Sequence, residues 1–402
     1  MKTLNNAKLG IVSLFLGASV SFAAAQAKPG DYVFTGLQGK IVSMDATSGT
    51  TSTLGSLSGA WANAATMGPA NYWNYVIKES SSGDAVLQVS PRTGSVGTVT
   101  TLPAAGQKSG IAVDIDGAVL VTSDNGYLYR TVSRTVTTLA SGLGQVNAIC
   151  IDGDTGHYVL GIADRKILLR VDRNTRRKTT LARGVGMVTG VAHHPHTGHF
   201  IVTNSTGPLQ IFNRSGGLVR SLNGAPDNAV CVDGATGDII AVGLNRLIRY
   251  DRNLNPKFTR TTKGVPYPTG VSIYDSRKLA GSGSLTKGSV FTVKLRFNDS
   301  PNANYGGALV TRGMRPGIPV SGRKINVNFN DPLLYLTSSG ALEGLFTQGI
   351  NGTLSSGGVG TIRVAIPQFM PAGTSLYLVC NAVNGKKPGG LDFGNTICIT
   401  PK

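Results

Sequence analysis

The sequence predicts an all-β protein: a six-bladed β-propeller followed by a small β-sandwich domain. Three observations predict this fold class: a repeat of about 40 residues between positions 31 and 275, a chain rich in Gly and poor in charge, and the loss of the repeat near position 278. The 402 residues include 54 Gly and only 14% charged residues. This composition is typical of many short strands joined by tight turns.

Six apolar segments recur along the repeat; five of them begin alike, and the copy at 63 is weaker. They are N-A-A-T-M-G at 63, S-G-I-A-V-D at 109, N-A-I-C-I-D at 147, T-G-V-A-H-H at 189, N-A-V-C-V-D at 228 and T-G-V-S-I-Y at 269. A second strand follows each of the complete copies, then a third strand such as K-I-L-L-R-V-D at 166 and a Thr- or Arg-rich fourth strand such as K-T-T-L at 178. Four short antiparallel strands in about 40 residues form one propeller blade, and such blades bury their faces only against one another.

The two ends of the repeat predict how the ring closes. The chain enters with the second to fourth strands of a blade, at 31–57, and leaves with a lone first strand at 269–274. Pairing of these pieces completes a sixth blade and covers strand edges that would otherwise invite aggregation. Seven blades are the alternative if residues 289–297 continue the ring.

Residues 278–402 are predicted to form the β-sandwich, because apolar segments alternate there with Gly, Pro and Asn turns. The segments begin at 291, 307, 325, 333, 361, 375 and 396. Cys380 and Cys398 lie on the last two segments, and we predict a disulfide between them. Cys150 and Cys231 lie in blades that are not neighbours, so they are predicted to be buried small hydrophobic residues.

The first 27 residues have the pattern of a secretory signal peptide. Lys2 and Lys8 precede an apolar segment at 11–22, and small residues follow it. The predicted division is therefore signal peptide 1–27, propeller 28–277 and C-terminal domain 278–402. The predicted location is secreted, whether periplasm, cell surface or medium. No later segment has the roughly 18 apolar residues that a membrane span requires.

The formal net charge of +18 predicts attraction to polyanions such as acidic polysaccharides or an anionic cell surface. Basic residues cluster in the fourth blade, and the predicted polyanion patch consists of Arg165, Lys166, Arg170, Arg173, Arg176, Arg177, Lys178 and Arg183. The alternative interpretation is that they protect an exposed strand edge from pairing. Few aromatic residues accompany them, so sequence-specific nucleic-acid binding is not expected.

Each first strand opens with a small, neutral residue able to form hydrogen bonds. Because first strands line the channel of a propeller, we predict a polar rim at one channel mouth that holds water or a small polar ligand. Its residues are Asn63, Ser109, Asn147, Thr189, Asn228 and Thr269.

Four of the five His residues lie together in H-H-P-H-T-G-H, at His193, His194, His196 and His199. Imidazoles at this spacing could bind Zn, Cu or Ni. The segment aligns, however, with D-G-D-T-G at 152 and D-G-A-T-G at 233, so we predict a hairpin turn that needs no metal. No cofactor is therefore predicted, with a divalent metal as the alternative.

Asp114, Asp152 and Asp233 end the first strands of their blades. A short carboxylate at such a place can accept backbone N–H groups within the turn. We predict this role for them rather than a ring of cation ligands, because other repeats lack an acidic residue there.

The repeat resembles the NHL-repeat and SMP-30/gluconolactonase-like group of six-bladed propellers. The resemblance rests on G-I-A-V-D at 110, on D-G-D-T-G at 152 and D-G-A-T-G at 233, and on L-L-R-V-D-R-N-T at 168. It implies that a divalent metal, held by Glu, Asn and Asp, can occupy the channel mouth. No Glu is expected there in this chain, which argues against metal-dependent lactone hydrolysis. The C-terminal domain resembles a module of secreted repeat proteins of environmental bacteria.

These observations predict a secreted, non-catalytic binding or surface-interaction protein, with polyanionic or carbohydrate partners. The sequence contains no G-x-S-x-G and no phosphate-binding Gly loop. The alternative is a gluconolactonase-like, metal-dependent hydrolase or lyase acting at the channel mouth. A third hypothesis is a periplasmic metal-binding protein that uses the His-rich segment.

Overall fold

The structure is a computed structural model. It describes residues 27, 31–57, 59–67, 74–81, 83–91, 94–104, 106–114, 118–132, 134–153, 155–194, 197–205, 207–233, 236–262, 265, 267–273, 279–282, 286–297, 300–311, 318–320, 323–325, 330–370, 376–385, 390–394 and 397–399. The predicted signal peptide lies outside these residues, apart from Ala27. In the described part of the chain, no helix is long and apolar enough to cross a membrane.

Six antiparallel four-stranded sheets form the blades of a propeller. In order from the first to the fourth strand, blade 1 consists of Pro268–Ile273, Tyr32–Gly36, Lys40–Met44 and Thr51–Ser56, blade 2 of Trp61–Met67, Asn74–Glu79, Ala85–Val89 and Val96–Thr101, and blade 3 of Lys108–Val113, Val119–Ser123, Leu128–Val132 and Thr135–Ala140. Blade 4 consists of Val146–Ile151, Tyr158–Ile162, Ile167–Val171 and Lys178–Arg183, blade 5 of Val188–His193, Phe200–Asn204, Leu209–Phe212 and Leu218–Leu222, and blade 6 of Ala229–Val232, Ile239–Val242, Arg246–Tyr250 and Pro256–Thr261. The predicted six-bladed fold is confirmed.

Blade 1 closes the ring as the sequence predicts. Its first strand comes from the end of the repeat and pairs with the strand nearest the N-terminus, with Tyr32 opposite Ile273 and Val33 opposite Ser272. The Asn74 Nδ2 atom of blade 2 donates to the Ser272 Oγ atom at 3.2 Å. The joint therefore links distant parts of the chain and pairs Tyr32–Gly36 on both of its edges.

Burial is greatest in the second strand of a blade and least in the fourth strand, at the outer edge of the disk. Second strands such as Val119–Ser123 and Tyr158–Ile162 are buried along their whole length. Fourth strands such as Leu218–Leu222 are mostly exposed. The inner strands are rich in Val, Ile and Leu because both of their faces pack on neighbouring blades.

Two kinds of blade alternate around the channel. Blades 1, 3 and 5 have Thr or Ser followed by Gly at the start of the first strand, and blades 2, 4 and 6 have Asn followed by Ala. The glycines allow a close approach to the next blade. A Cβ atom on Gly110 would lie 3.2 Å from the Ala148 Cα atom, and one on Gly270 would lie 2.5 Å from the Ala65 backbone N.

The C-terminal residues form two packed sheets, which confirms the predicted sandwich. One sheet consists of Leu279–Ser282, Val290–Arg296, Val359–Ala365 and Thr347–Gln348, and the other of Asn351–Thr353, Asn304–Val310, Leu376–Val383, Leu391–Phe393 and Ile397–Ile399. A small hairpin pairs Ile318–Val320 with Arg323–Ile325. Val293 and Ile362 from the first sheet share one core with Leu309 and Leu378 from the second. The boundary at residues 277 and 278 stays a prediction.

The alternative of a seventh blade is wrong. Residues 290–296 pair with Leu279–Ser282 and Val359–Ala365 inside the sandwich, and not with a blade of the propeller.

The strand predicted at residue 333 is also wrong, because Pro332–Ser338 is an α-helix. Asp331 precedes this helix, and its side chain accepts the backbone N–H of Leu333. Pro332 occupies the first turn, where its missing N–H group has no intrahelical partner to lose. Together these residues favour a helix here more strongly than the short apolar segment favours a strand.

The structure contradicts the predicted disulfide. Cys380 is a free, buried thiol, and the backbone of Cys398 lies opposite Tyr377. Positions 377 and 380 belong to opposite faces of one strand because side chains alternate along it. The bridge was predicted from neighbouring strands without knowledge of their register. Cys150 is buried as predicted, and Cys231 is partly buried.

We expect Gly190→Ala to lower the free energy of unfolding by about 1–3 kcal/mol. The added methyl group would lie 2.6 Å from Thr203 Oγ1 and 3.2 Å from the Ala229 Cα atom of blade 6. Gly55→Ala is the matched control, because its nearest new neighbour is a Val96 methyl at 3.5 Å. Urea unfolding of both variants tests this, and equal effects would contradict the close approach between blades.

Candidate ligand site at the channel mouth

All six residues of the predicted rim line one cavity of about 380 Å³. Its other described lining residues come from the loops at the same end of the ring: Leu37, Gln107, Lys108, Asp124, Gln145, Leu244, Tyr267 and Pro268. We call this end the mouth face. The structure therefore brings the six residues together, and their binding of a ligand stays a prediction.

The rim side chains also connect neighbouring blades. Five of them donate a hydrogen bond to the backbone oxygen of the residue that precedes the next rim residue. The five pairs are Asn63 to Lys108, Ser109 to Val146, Thr189 to Asp227, Asn228 to Pro268 and Thr269 to Ala62. These bonds form a belt around the channel, so the rim is held rigid by its own side chains.

The belt is open at one place, between blades 4 and 5. Asn147 lines the cavity, and its carboxamide forms no hydrogen bond with the described residues. A half-buried amide without a protein partner retains its full capacity to bind a ligand or water. Asn147 is therefore the rim residue best suited to contact a ligand.

A charged cluster lies beside the rim in blades 2 and 3. The Asn63 Nδ2 atom donates to the Glu79 carboxylate. Lys108 has a fully buried side chain, and its Nζ atom donates to Asp84 Oδ2 at 3.0 Å and to the Gly106 carbonyl at 2.7 Å. Burial raises the pKa of the Glu79 carboxyl above its usual value, and the nearby Asp84 carboxylate adds to the rise.

The expectation that no Glu lies near the mouth is wrong. Trp61 pairs with Glu79 in antiparallel register, so the end of the second strand of blade 2 lies beside the start of the first. Sequence reasoning also missed Lys108. A signal was present, because Lys108 occupies the repeat position of the buried Val146 and Val188, where a charged residue requires a partner.

The opposite end of the ring, the far face, contains buried ion pairs between blades. Asp114 Oδ2 accepts hydrogen bonds from Tyr158 at 3.0 Å and from Arg173 Nε at 3.2 Å, both in blade 4. Asp152 Oδ2 accepts from Arg214 of blade 5 at 3.1 Å. Burial, with the Asp114 charge, raises the pKa of Tyr158 to about 12.

Asp233 accepts from Arg249 Nη2 at 2.6 Å within blade 6, and Arg249 Nη1 donates to the Tyr32 hydroxyl of blade 1 at 3.2 Å. The role predicted for the three Asp residues is therefore incomplete. Asp233 does face a turn N–H, that of Thr236 at 3.4 Å, but each carboxylate also pairs with an arginine.

The predicted polyanion patch divides into two groups. Arg165, Lys166 and Arg183 lie at the mouth face, and all three are exposed. Arg170, Arg173, Arg176, Arg177 and Lys178 lie toward the far face, about 13 Å away along the third strand of blade 4.

Within the second group, most side chains bond to their neighbours. Arg173 pairs with Asp114, Arg170 donates to the Arg214 carbonyl at 2.9 Å, and Lys178 donates to the Ser141 carbonyl at 2.7 Å. Arg176 donates to the Arg173 carbonyl and lies 5.9 Å from the Tyr158 ring centre. This group contributes to blade contacts in addition to surface charge.

The His-rich segment forms the predicted hairpin turn. The His194 backbone N–H donates to the His199 carbonyl at 2.8 Å, and the His194 Nδ1 atom accepts the Thr197 N–H at 3.3 Å. His193 Nε2 lies 3.6 Å from Asp152 Oδ1. His196 lies outside the described residues. Within the described ranges, no three His, Cys, Asp or Glu side chains form a group suited to a metal.

The fold and the cavity define this chain as a β-propeller with a polar pocket at one channel mouth. No family model and no curated protein matches it. Among solved structures it is similar to a chain from the crystal structure of a nidogen/laminin complex. That match has 15% sequence identity and a TM-score of 0.54, and it covers 61% of this chain and 98% of the other. At this identity the similarity supports the propeller fold alone.

Two further solved structures are similar at lower TM-scores. A calcium-binding protein, regucalcin, from Agrobacterium tumefaciens has 15% identity and a TM-score of 0.45, over 56% of this chain and 79% of the other. A protein of unknown function from Bacteroides caccae has 12% identity and a TM-score of 0.48, over 61% and 98%.

The ion pairs of blade 6 predict a loss of stability in acid. Burial by itself raises the pKa of Asp238, but hydrogen bonds from Lys257 Nζ at 2.7 Å and Arg249 Nε at 2.7 Å outweigh it and hold the pKa below its usual value. A carboxyl whose pKa is lower in the folded chain stabilises the fold at neutral pH. That contribution is lost as the pH falls through the folded pKa.

We therefore expect Asp238→Asn to lower the free energy of unfolding by about 2 kcal/mol at pH 7. The difference from the unchanged protein should shrink between about pH 5 and pH 2. Denaturant unfolding at several pH values measures both effects. A difference that stays constant down to pH 2 would show that the Asp238 carboxylate does not contribute through its charge.

Proposed function

We propose that this chain is a secreted, non-catalytic binding protein whose ligand site is the cavity at the mouth face. The observation that supports this most directly is the belt of hydrogen bonds, because it surrounds a pocket of about 380 Å³ with side chains that are already fixed in place. A preformed site loses little conformational entropy on binding. The volume lies near the lower end of the range for ligand pockets, so the ligand is a small molecule or the end of a larger one.

The chemistry of the pocket supports binding rather than turnover. Its described lining contains amides, hydroxyls, one carboxylate and one lysine, and neither His nor Cys. The Ser109 and Thr189 hydroxyls donate to backbone carbonyls and not to a general base, so they are not activated as nucleophiles. Secretion in this proposal rests on the signal-peptide pattern of residues 1–27.

A metal-dependent hydrolase or lyase remains the second candidate, because Glu79 lies against Asn63 at the mouth. Glu, Asn and Asp oxygens are ligands that a divalent cation accepts. This candidate requires a metal bound at the mouth and turnover of a lactone.

The test is a thermal-shift screen of small polar compounds, with Ca²⁺, Mn²⁺ and Zn²⁺ in separate wells. We expect at least one organic compound to raise Tm, since a ligand that binds only the folded state stabilises it. Asn147→Trp, which fills the mouth, should abolish the shift, and Arg177→Ser on the far face should not. A shift with a divalent metal that is lost in Asn63→Ala, together with lactone hydrolysis, would instead favour the enzyme.

We also propose that the exposed cations of blade 4 at the mouth face bind anionic surfaces. Arg165, Lys166 and Arg183 form no ion pair with a described residue. Lys166 and Arg183 flank Ile167, because Ile167 pairs with Arg183 across the sheet. Three unneutralised charges in so small an area attract a polyanion, and the attraction weakens as salt increases.

On a heparin column we expect the triple variant Arg165→Ser, Lys166→Asn and Arg183→Ser to elute at a lower salt concentration than the unchanged protein. Asn is chosen at 166 because the backbone φ there is 52°, which Asn tolerates. Arg173→Ser is the control. It removes one arginine partner of the buried Asp114, so it should lower Tm while leaving elution nearly unchanged. Equal elution of the triple variant and the unchanged protein would rule out this surface.

A further inference from the structure

The belt determines which atoms remain available inside the mouth. The Ser109, Thr189 and Thr269 hydroxyls direct their hydrogens to carbonyls of the next blade. Asn63 and Asn228 bond through Nδ2. Each of these groups has therefore already used a donor. The three hydroxyl oxygens also lie 3.2–3.5 Å from the hydroxyls of Thr122, Thr203 and Thr35, so each keeps one lone pair to offer, while Asn228 keeps one N–H. Away from Asn147, the rim presents mainly hydrogen-bond acceptors to whatever occupies the cavity.

A carboxylate lies on the same wall. Asp124 lines the cavity from blade 3, and its Oδ1 atom is buried without a hydrogen-bond partner among the described residues. Lys108 forms no ion pair with Asp124. Its side chain is fully buried, and its Nζ atom donates to Asp84. A buried carboxylate oxygen favours a partner that can donate a hydrogen bond or supply positive charge.

The opposite wall is apolar. Leu37 of blade 1, Leu244 of blade 6 and the intervening Tyr267 and Pro268 all line the cavity. Tyr267 is 57% exposed and Leu244 is 49% exposed. In a six-bladed ring, blades 1 and 6 face blades 4 and 3, so this wall lies across the channel from Asn147 and Asp124.

We propose that the mouth binds an organic ammonium ion, a protonated amine attached to an apolar group. The inference rests on the proposed function and names its ligand class. The N–H groups of the ligand meet the acceptor oxygens of the rim, and the negative charge of Asp124 attracts the ammonium group. The apolar group of the ligand lies against Tyr267 and Leu244. An aromatic ring at the wall adds a cation–π contact.

Other ligand classes fit the mouth less well. An anion would meet acceptor oxygens and a carboxylate. A bare divalent cation prefers six to eight oxygen ligands with several carboxylates, and only Asp124 supplies a carboxylate among the described residues that line the cavity. The strongly basic surface of the chain favours anions, whereas the pocket at the mouth favours a cation.

The test uses isothermal titration calorimetry on the full chain with four probes: butylammonium, the neutral butan-1-ol, glucose and Ca²⁺. We expect butylammonium to bind and butan-1-ol not to bind. Asp124→Asn should weaken butylammonium binding by about tenfold. Asp251→Asn, at an exposed far-face turn that Asn can also cap, is the matched control and should bind as the unchanged protein does.

The outcomes separate the two proposals. Glucose binding that is lost in Asn147→Trp, without butylammonium binding, would overturn the ammonium inference and leave the mouth as a ligand site. Ca²⁺ binding that is lost in Asp124→Asn would overturn it in favour of a metal site. Butylammonium binding that is unaffected by Asp124→Asn and by Asn147→Trp would overturn it as well, because the ion would then bind elsewhere. If none of the four probes binds, the ammonium inference fails, while the screen described above decides independently whether the mouth binds any small compound.

Discussion

The close approach of the six first strands around the channel is the constraint on which the rest of the structure depends. Where a Gly of one blade meets an Ala of the next, the two backbones come so near that a single added methyl group would overlap with backbone or hydroxyl atoms. This proximity allows a Ser, Thr or Asn side chain to reach a carbonyl of the neighbouring blade. The belt, the shape of the mouth and the acceptor character of the pocket all follow from it.

Polar groups join the blades at both ends of the disk, but in different ways. At the mouth face, neutral side chains donate to backbone carbonyls. At the far face, buried carboxylates of Asp114 and Asp152 pair with arginines of the following blade. A buried carboxylate without its arginine would be costly, so part of the basic character of this chain is structural. The charges that remain free for a partner are those, such as Arg165, that lie at exposed turns.

Most of the fold could be predicted from the sequence, because the same four-strand pattern occurs six times. The blade number and the split blade followed from counting copies and noticing which strands were missing at each end. The C-terminal domain has no repeat, and there the predictions were weaker. The Leu-rich segment after Asp331 fits a strand by composition, yet a side-chain cap and a proline make it a helix. The predicted disulfide failed because strand order does not give register.

The candidate site was predictable only in part. The repeat placed the six rim residues at one end of the ring, since they occupy one position of the blade. It could not show that most of their donors bond to the next blade, because that depends on distances between blades. Glu79 was missed because it ends a second strand and meets the rim only through antiparallel pairing. Lys108 departs from the repeat, because the equivalent positions are occupied by apolar residues such as Val146 and Val188.

The alternation of two blade types has a consequence for how the ring can change in size. A glycine-type blade fits an alanine-type neighbour, and the pattern returns to its start only after an even number of steps. An odd-membered ring would have one joint between like blades, where the contact of Gly110, Gly190 and Gly270 with an alanine of the next blade would not repeat. Adding or removing one blade would therefore break the alternation, whereas adding or removing two neighbouring blades would preserve it.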